Sequence, residues 1–384
     1  MDLGTLNKQM REWRHTLHRN PEFGFQTEKT AAFVVAKLKS FGINEISTRI
    51  GGTGVVGTLR NGTSNKAIAI RADMDALKIE EQNDFNYKSE VPGYMHACGH
   101  DGHTTTLLGT AAILADSVDF DGIIHFIFQP AEEWGKGAQA MIDAGLMKKF
   151  SFDEIWGFHN MPGIAVGSFE TKPGPIMSAE DNFEIELRGI GGHASKPQAG
   201  RETLQPACSL VTALQTIVSR KINPADIAVL SVTEFHTDGT RNILPGITRI
   251  LGDARSFRHE VSKTIEDEMT IITKGVALAH GLEFNINYTR EFVPLINDTN
   301  LAQEAIKIAQ LTFGKDKAEI STQPVTGSED FARFLNHIPG CYVFFGNGIK
   351  SAPLHNSSYD FNDDALEHGV NYFVNLVKNR LKPL

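Results

Sequence analysis

Apolar positions recur at helical spacing at the start of the chain. Leu3, Leu6, Met10, Trp13 and Leu17 fall on one face of a helix, and a second amphipathic stretch runs from about Thr27 to Phe41, where Gly42 supplies a stop. The apolar segments that follow are short and nearly unbroken: Ala67 to Ile70, Ile123 to Phe128, Ile155 to Phe158 and, much later, Tyr342 to Phe345. Such runs, separated by helical patterns such as Thr104 to Ala115, predict strands of a mostly parallel sheet covered on both faces, hence an α/β fold.

The pattern changes near residue 182. Phe183, Ile185 and Leu187 alternate with Glu184, Glu186 and Arg188, and Leu282, Phe284, Ile286 and Tyr288 alternate with mostly polar residues, as half-exposed antiparallel strands do. Between them lie helical stretches around Thr203 to Ser219 and Glu260 to His280, and strand-like stretches around Ile227 to Phe235 and Ile247 to Phe257. The order strand, helix, strand, strand, helix, strand predicts a small ferredoxin-like module. Parallel-sheet features resume after about residue 292, so the expected organisation is a larger domain over 1–181 and 292–384 with a module inserted at 182–291.

Length agrees with this division, because 384 residues exceed the roughly 250–300 at which a single core stops growing. Lys and Arg total 37 against 46 Asp and Glu, a net charge of -9 with no block of like charge, which argues against nucleic acid or an anionic membrane as partner. The start, Met1-Asp2-Leu3-Gly4, lacks the basic and apolar regions of a signal peptide, and no apolar run is long enough to span a bilayer, so the expected location is cytoplasmic. Three cysteines, Cys98, Cys208 and Cys341, an odd number at wide spacings, do not suggest a disulfide framework.

Chemistry concentrates where the buried strands end. The first is followed by Arg71-Ala-Asp-Met-Asp75, the second by Gln129-Pro-Ala-Glu-Glu133 and the third by His159-Asn-Met-Pro162. In an open α/β sheet the carboxyl ends of the strands border the ligand crevice, so these groups converge there. The densest cluster, His96-Ala-Cys-Gly-His-Asp-Gly-His103, stands immediately ahead of a helix. Its thiol, imidazoles and carboxylate are the donor types that hold zinc-like ions. The plainer reading is a polar helix N-terminus in which Asp101 caps and the histidines face solvent. Adjacent carboxylates such as Glu132-Glu133 usually sit on a solvated helix face. After an apolar strand and a Gln-Pro-Ala turn, one can bind metal while the other acts as a general base. His159 and His355, each structural if read alone, bring the donors to five with the cluster, more than one tetrahedral site needs, and favour two metals sharing a ligand.

Six motifs carry a resemblance: Arg71-Ala-Asp-Met-Asp-Ala-Leu77, the 96–103 octet, Phe128-Gln-Pro-Ala-Glu-Glu133, Gly191-Gly-His-Ala194, Gly327-Ser-Glu-Asp-Phe331 and Leu354-His-Asn356. Together they resemble the aminoacylase and carboxypeptidase-G-like family of dinuclear metallohydrolases, in order from about residue 10 to 373. Within it they are most similar to the branch of hippurate hydrolases, bacterial N-acyl amino acid amidohydrolases and plant auxin-conjugate hydrolases. The resemblance implies a zinc-peptidase-like catalytic domain with an inserted ferredoxin-like domain for lid closure and dimerisation, both monomers and homodimers occurring in the family. It implies two divalent ions, Mn2+ or Zn2+ foremost and Co2+ or Ni2+ as alternatives, held by Cys98, His100, Glu133, His159 and His355. Cys98 stands where other relatives use an aspartate. Glu132 is implied as general base toward a water bridging the metals, and Asp75 as the aspartate that orients a ligand from behind. Lid closure is implied to bring His193 to the reacting carbonyl, with Asn242 and Arg255 on the substrate carboxylate. The implied reaction cleaves the amide of a small N-acyl amino acid, hippurate-like or N-acetylated, to a carboxylic acid and a free amino acid. Asp73 receives no role. Two positions depart from the family pattern: Lys78 where it has proline and Trp134, beside the base, where it has glycine.

Three other readings are weighed. Gly52-Thr-Gly-Val-Val-Gly57 fits a dinucleotide fingerprint literally but leads into a strand rather than a helix. A thiol hydrolase built on Cys98 would not need so many further donors, and would survive a chelator. A binding protein that has lost turnover would not be expected to keep the base.

Overall fold

The computed structural model describes residues 3–116, 120–321 and 323–383. Met1, Asp2 and the side chain of Leu3 lie outside the described residues. The chain forms two compact units. The first comprises Met1–Ile176, Ile296–Pro324 and Asp330–Leu384, and the second Met177–Leu295 with Val325–Glu329.

The first unit is built on an eight-stranded sheet. Its strands are β1 (Glu45–Ile50), β2 (Gly54–Asn61), β3 (Ala67–Asp73), β4 (Gly122–Gln129), β5 (Glu154–Pro162), β6 (Phe169–Thr171), β7 (Ala318–Ile320) and β8 (Gly340–Gly348), in the order β1-β2-β4-β3-β5-β8-β6-β7. The four central strands run parallel, whereas β1, β2 and β4 pair antiparallel and β6 runs antiparallel to β8. The sheet is therefore mixed, with its parallel part in the centre, where the continuous apolar runs lie. All seven residues of β3 are buried. The Gly52–Gly57 stretch lies mostly within β2 and opens no helix, so it is not a nucleotide-binding turn.

Helices α1 (Leu3–Arg19), α2 (Glu28–Ser40), α3 (His100–Asp116), α4 (Thr299–Phe313) and α5 (Asp364–Arg380) surround the sheet. Leu6, Met10 and Trp13 of α1 join one core with Leu107, Leu108 and Ala111 of α3 and with Val370, Phe373 and Val377 of α5. Helix α3 is buried almost all round, including its first turn, which fixes its N-terminus at the end of the parallel strands.

The second unit has a four-stranded antiparallel sheet in the order 228–237, 247–256, 179–188, 283–292, with helices Leu204–Thr216 and His259–His280. Numbered along the chain, its strands run second, third, first, fourth, the ferredoxin-like arrangement. Phe183, Ile185 and Leu187 pack on Leu210, Leu214, Ile265 and Met269. The alternation expected from Leu282 to Tyr288 is weak, because the strand lies at the sheet edge and Phe284 is exposed. Residues 325–329, expected with the larger domain, belong to this unit: the Ser178 amide donates to the Gly327 carbonyl at 3.0 Å, and its hydroxyl to that of Thr326 at 2.7 Å. Among the described residues no helix is long and apolar enough to cross a membrane.

Candidate metal centre

Three strand ends and one helix start deliver the donors. Asp73 closes β3 and Asp75 follows it, the turn after β4 carries Glu132 and Glu133, and His159 lies inside β5, which continues to Pro162. His100 opens α3, with Cys98 two residues before it. Gly99 between them has φ +96°, and an added Cβ would fall 2.3 Å from Asn160 Oδ1, so only glycine permits this approach. His355 arrives from the loop after β8, where its amide donates to the Ala97 carbonyl at 2.8 Å. Both His355 and Ala131, the residue before Glu132, hold positive φ, 61° and 53°. Strained backbone of this kind persists where the surroundings over-determine it, characteristically at functional sites.

Cys98, His100 and His159 place one donor atom each within 4.8 Å of one another, and so do Cys98, Glu133 and His355. Cys98 is common to both groups. Its Sγ is 3.3 Å from His159 Nε2, and His355 Nε2 is 3.5 Å from Glu133 Oε2. The imidazoles are oriented from behind. His100 Nδ1–H donates to the Asp75 carbonyl at 2.8 Å and His159 Nδ1–H to the Asn160 carbonyl at 2.7 Å, which turns each Nε2 toward the cluster. His100 Nε2 and Glu133 Oε1 are buried without a hydrogen-bond partner. Such orphaned polar atoms are costly unless a partner meets them.

Asp75 supports the carboxylate pair, its Oδ1 accepting from the Glu132 amide at 2.9 Å and its Oδ2 from the Glu133 amide at 3.2 Å. One further layer had no role in the sequence reading. Asp73 Oδ1 accepts from His103 Nδ1 at 2.6 Å, and the other nitrogen of that ring faces Asn160 Oδ1 at 2.7 Å. Arg71 donates to Asp73, to Gln129 and to Asp330, whose own amide reaches Glu132 Oε1 at 3.4 Å. The spacing of His103, three residues after His100 on one helix face, is the signal that could have exposed this layer.

Four carboxylates, Asp73, Asp75, Glu132 and Glu133, are buried or nearly so around one thiol. Burial, with Glu133, Glu132 and Asp73 beside it, pushes the Cys98 thiol well up. Burial pulls His100 down, but Asp73 and the Asp75 contact outweigh it and lift the ring to about 10. Burial and the neighbouring imidazole of His103 hold His159 well below its ordinary value. Excess negative charge, a thiol and orphaned imidazole and carboxylate atoms are what a divalent cation would satisfy, so these residues fit a metal site. The histidines of the octet do not face solvent: His96, His100 and His103 are buried.

His193, Asn242 and Arg255 lie in the second unit. His193 is exposed in a two-residue strand paired with Ile243–Leu244, and the Ala194 amide donates to the Asn242 carbonyl at 3.0 Å, which makes His193 and Asn242 neighbours. The Ser195 amide donates to His193 Nδ1 at 3.1 Å, so the ring carries its proton on Nε2. Arg255 is bound to Glu180 Oε2 and Asp253 Oδ1, each at 2.9 Å, and to the Ser328 hydroxyl.

Residues 69–379 match peptidase family M20/M25/M40. The chain is 41% identical over 377 residues to a hippurate hydrolase of Campylobacter jejuni subsp. jejuni serotype O:2, covering 98% of each protein. It is 40% identical over 350 residues to an N-acetyl-L-cysteine deacetylase of Bacillus subtilis (strain 168), covering 90% of this chain and 82% of that one. Among solved structures, the Bacillus subtilis YXEP protein, described as a dinuclear metal-binding peptidase from the M20 family, superposes with a TM-score of 0.87 at 29% identity, over 98% of this chain and 99% of that one.

Proposed function

The chain belongs to peptidase family M20/M25/M40, and on that premise we propose that it is a metal-dependent amidohydrolase that cleaves small N-acyl amino acids to a carboxylic acid and a free amino acid. One observation carries the reading: Cys98, His100, Glu133, His159 and His355 converge with the carboxylate of Glu132 at the ends of the parallel strands. Two relatives that match over most of this chain bear the names of enzymes acting on an N-benzoyl and an N-acetyl amino acid, so an acylated amino acid is the common denominator.

The two overlapping donor groups, with Cys98 in both, support a pair of ions. When bound, divalent ions polarise the amide carbonyl and acidify the attacking water. Glu132 takes the proton of that water as it attacks and returns it to the leaving amine as the C–N bond breaks. Asp75 holds Glu132 and Glu133 in place through their amides. His193, protonated on Nε2, is assigned as a hydrogen-bond donor to the developing oxyanion, and Asn242 as a contact of the substrate carboxylate. Arg255, held by Glu180, Asp253 and Ser328, is assigned to the same carboxylate.

The test is hydrolysis of a panel of N-acyl amino acids, benzoylglycine included, by chelated protein before and after Mn2+ or Zn2+ is restored. Activity that returns only with metal supports the reading; a chelator-resistant hydrolysis, as expected of a Cys98 thiol enzyme, would refute it.

A further inference from the structure

Lys78 and Trp134 touch the same side chain, Phe23. The Trp134 ring meets Phe23 edge to face with centroids 5.1 Å apart, and Lys78 Nζ stands 4.8 Å from the Phe23 centroid. Phe25 also meets the indole, with centroids 5.7 Å apart, and Tyr94 lies 5.9 Å from Phe23.

This group is joined through the backbone to the segments that carry the candidate metal donors. Trp134 sits in a turn closed by a hydrogen bond from the Gly135 amide to the Glu132 carbonyl at 2.7 Å, directly after Glu133. The 22–25 segment is tied to two of the segments that supply the site, those after β3 and β4: the Ala76 amide donates to the Glu22 carbonyl at 2.8 Å and the Ala131 amide to the Gly24 carbonyl at 3.1 Å. The indole lies flat against Gly24, where an added Cβ would come 2.4 Å from Trp134 Cζ2. Gly24 has φ +58°, so steric space and backbone both reserve the position for glycine.

The ring is thus held by Phe23, Gly24 and Phe25 and is still partly exposed. Trp134 keeps 37% of its surface accessible and is the one exposed aromatic residue of the first unit among the described residues. An apolar ring held rigidly, one residue from a metal donor and two from the base, loses little entropy on binding and offers an aromatic face to a ligand.

Resting on the amidohydrolase reading, we infer that Trp134, braced by Phe23 and Phe25, is a specificity-determining platform that packs against an aromatic group of the substrate. That group can be an aromatic acyl moiety or the aromatic side chain of the released amino acid. The Lys78 ammonium stands over Phe23 and not over the indole.

Two comparisons separate the sources: benzoylglycine against N-acetylglycine, and N-acetylphenylalanine against N-acetylglycine. Losing one aromatic contact should lower the aromatic to non-aromatic kcat/KM ratio roughly tenfold in Trp134→Ala, with most of it regained in Trp134→Phe. The arm that moves names the aromatic source. A second readout does not depend on turnover. Trp13 and Trp156 are buried, so acrylamide quenching reports mainly on Trp134, and the aromatic ligand should protect it where N-acetylglycine does not. Ratios unchanged in both arms, with no selective protection, would overturn the platform. A wild-type protein that hydrolyses none of the three but shows selective protection would count against the proposed activity and leave the platform supported.

Discussion

Cys98 Sγ lies 3.3 Å from His159 Nε2, and the opposite nitrogen of that imidazole is committed to the Asn160 carbonyl. The pair is buried, and burial pushes the thiol up and the imidazole down, so both remain neutral unless a cation arrives. Because Cys98 belongs to both donor groups, Cys98→Ala should remove metal from both positions. The expected result is less than one ion per chain by elemental analysis after dialysis, and hydrolysis reduced by at least about 100-fold. Full metal content in that variant would take Cys98 out of the site.

Asp75 makes a different kind of contribution. Its two carboxylate oxygens accept from the amides of Glu132 and Glu133, so Asp75→Asn must turn an NH2 group toward one of these donors. The cost expected is about 1–3 kcal/mol of stability, for one buried donor left unmet. Metal affinity or kcat/KM should fall about 10–100-fold through the misplaced turn. Denaturant unfolding together with a metal titration checks both; a variant that matches wild type in both would show that the turn holds itself.

Away from the site, His125 sets a pH dependence of folding. It is buried, accepts or donates one bond with Thr58 at 2.9 Å, and packs on Phe150 and Phe152. Burial lowers it from 6.5 to about 4. The unfolded chain therefore binds a proton that the folded chain refuses, and the stability His125 contributes is present above pH 6.5 and lost as pH falls from 6.5 toward 4. The loss is on the order of 3 kcal/mol. In His125→Gln, which keeps a partner for Thr58 and cannot titrate, the thermal midpoint should fall less steeply across that window. Parallel curves for the two proteins would contradict this assignment.

How much of this was legible beforehand depended on periodicity and clustering. The four central strands announced themselves through unbroken apolar runs, and the inserted unit through the switch to alternation at Phe183, Ile185 and Leu187. The antiparallel flanks of the sheet did not, because β1 is a half-exposed edge with no continuous run and β6 has three residues. Cys98, His100, Glu132 and Glu133 stood out as dense local motifs. Asp73, His103, Asn160 and Arg71 stood within those motifs, but their roles were not legible, since each acts through a partner distant in sequence, and a buried hydrogen bond between Asp73 and His103 leaves no mark on local composition. The convergence of Lys78 and Trp134 on Phe23 was hidden for the same reason.

The most direct measurement compares Glu132→Gln with wild type, counting metal and turnover on the same preparations. Glu132 is placed as the proton carrier and Glu133 as the metal donor, so the variant should keep nearly the wild-type metal content while turnover of an N-acyl amino acid falls by about 100- to 10,000-fold. Turnover within a few-fold of wild type at equal metal content would contradict the account.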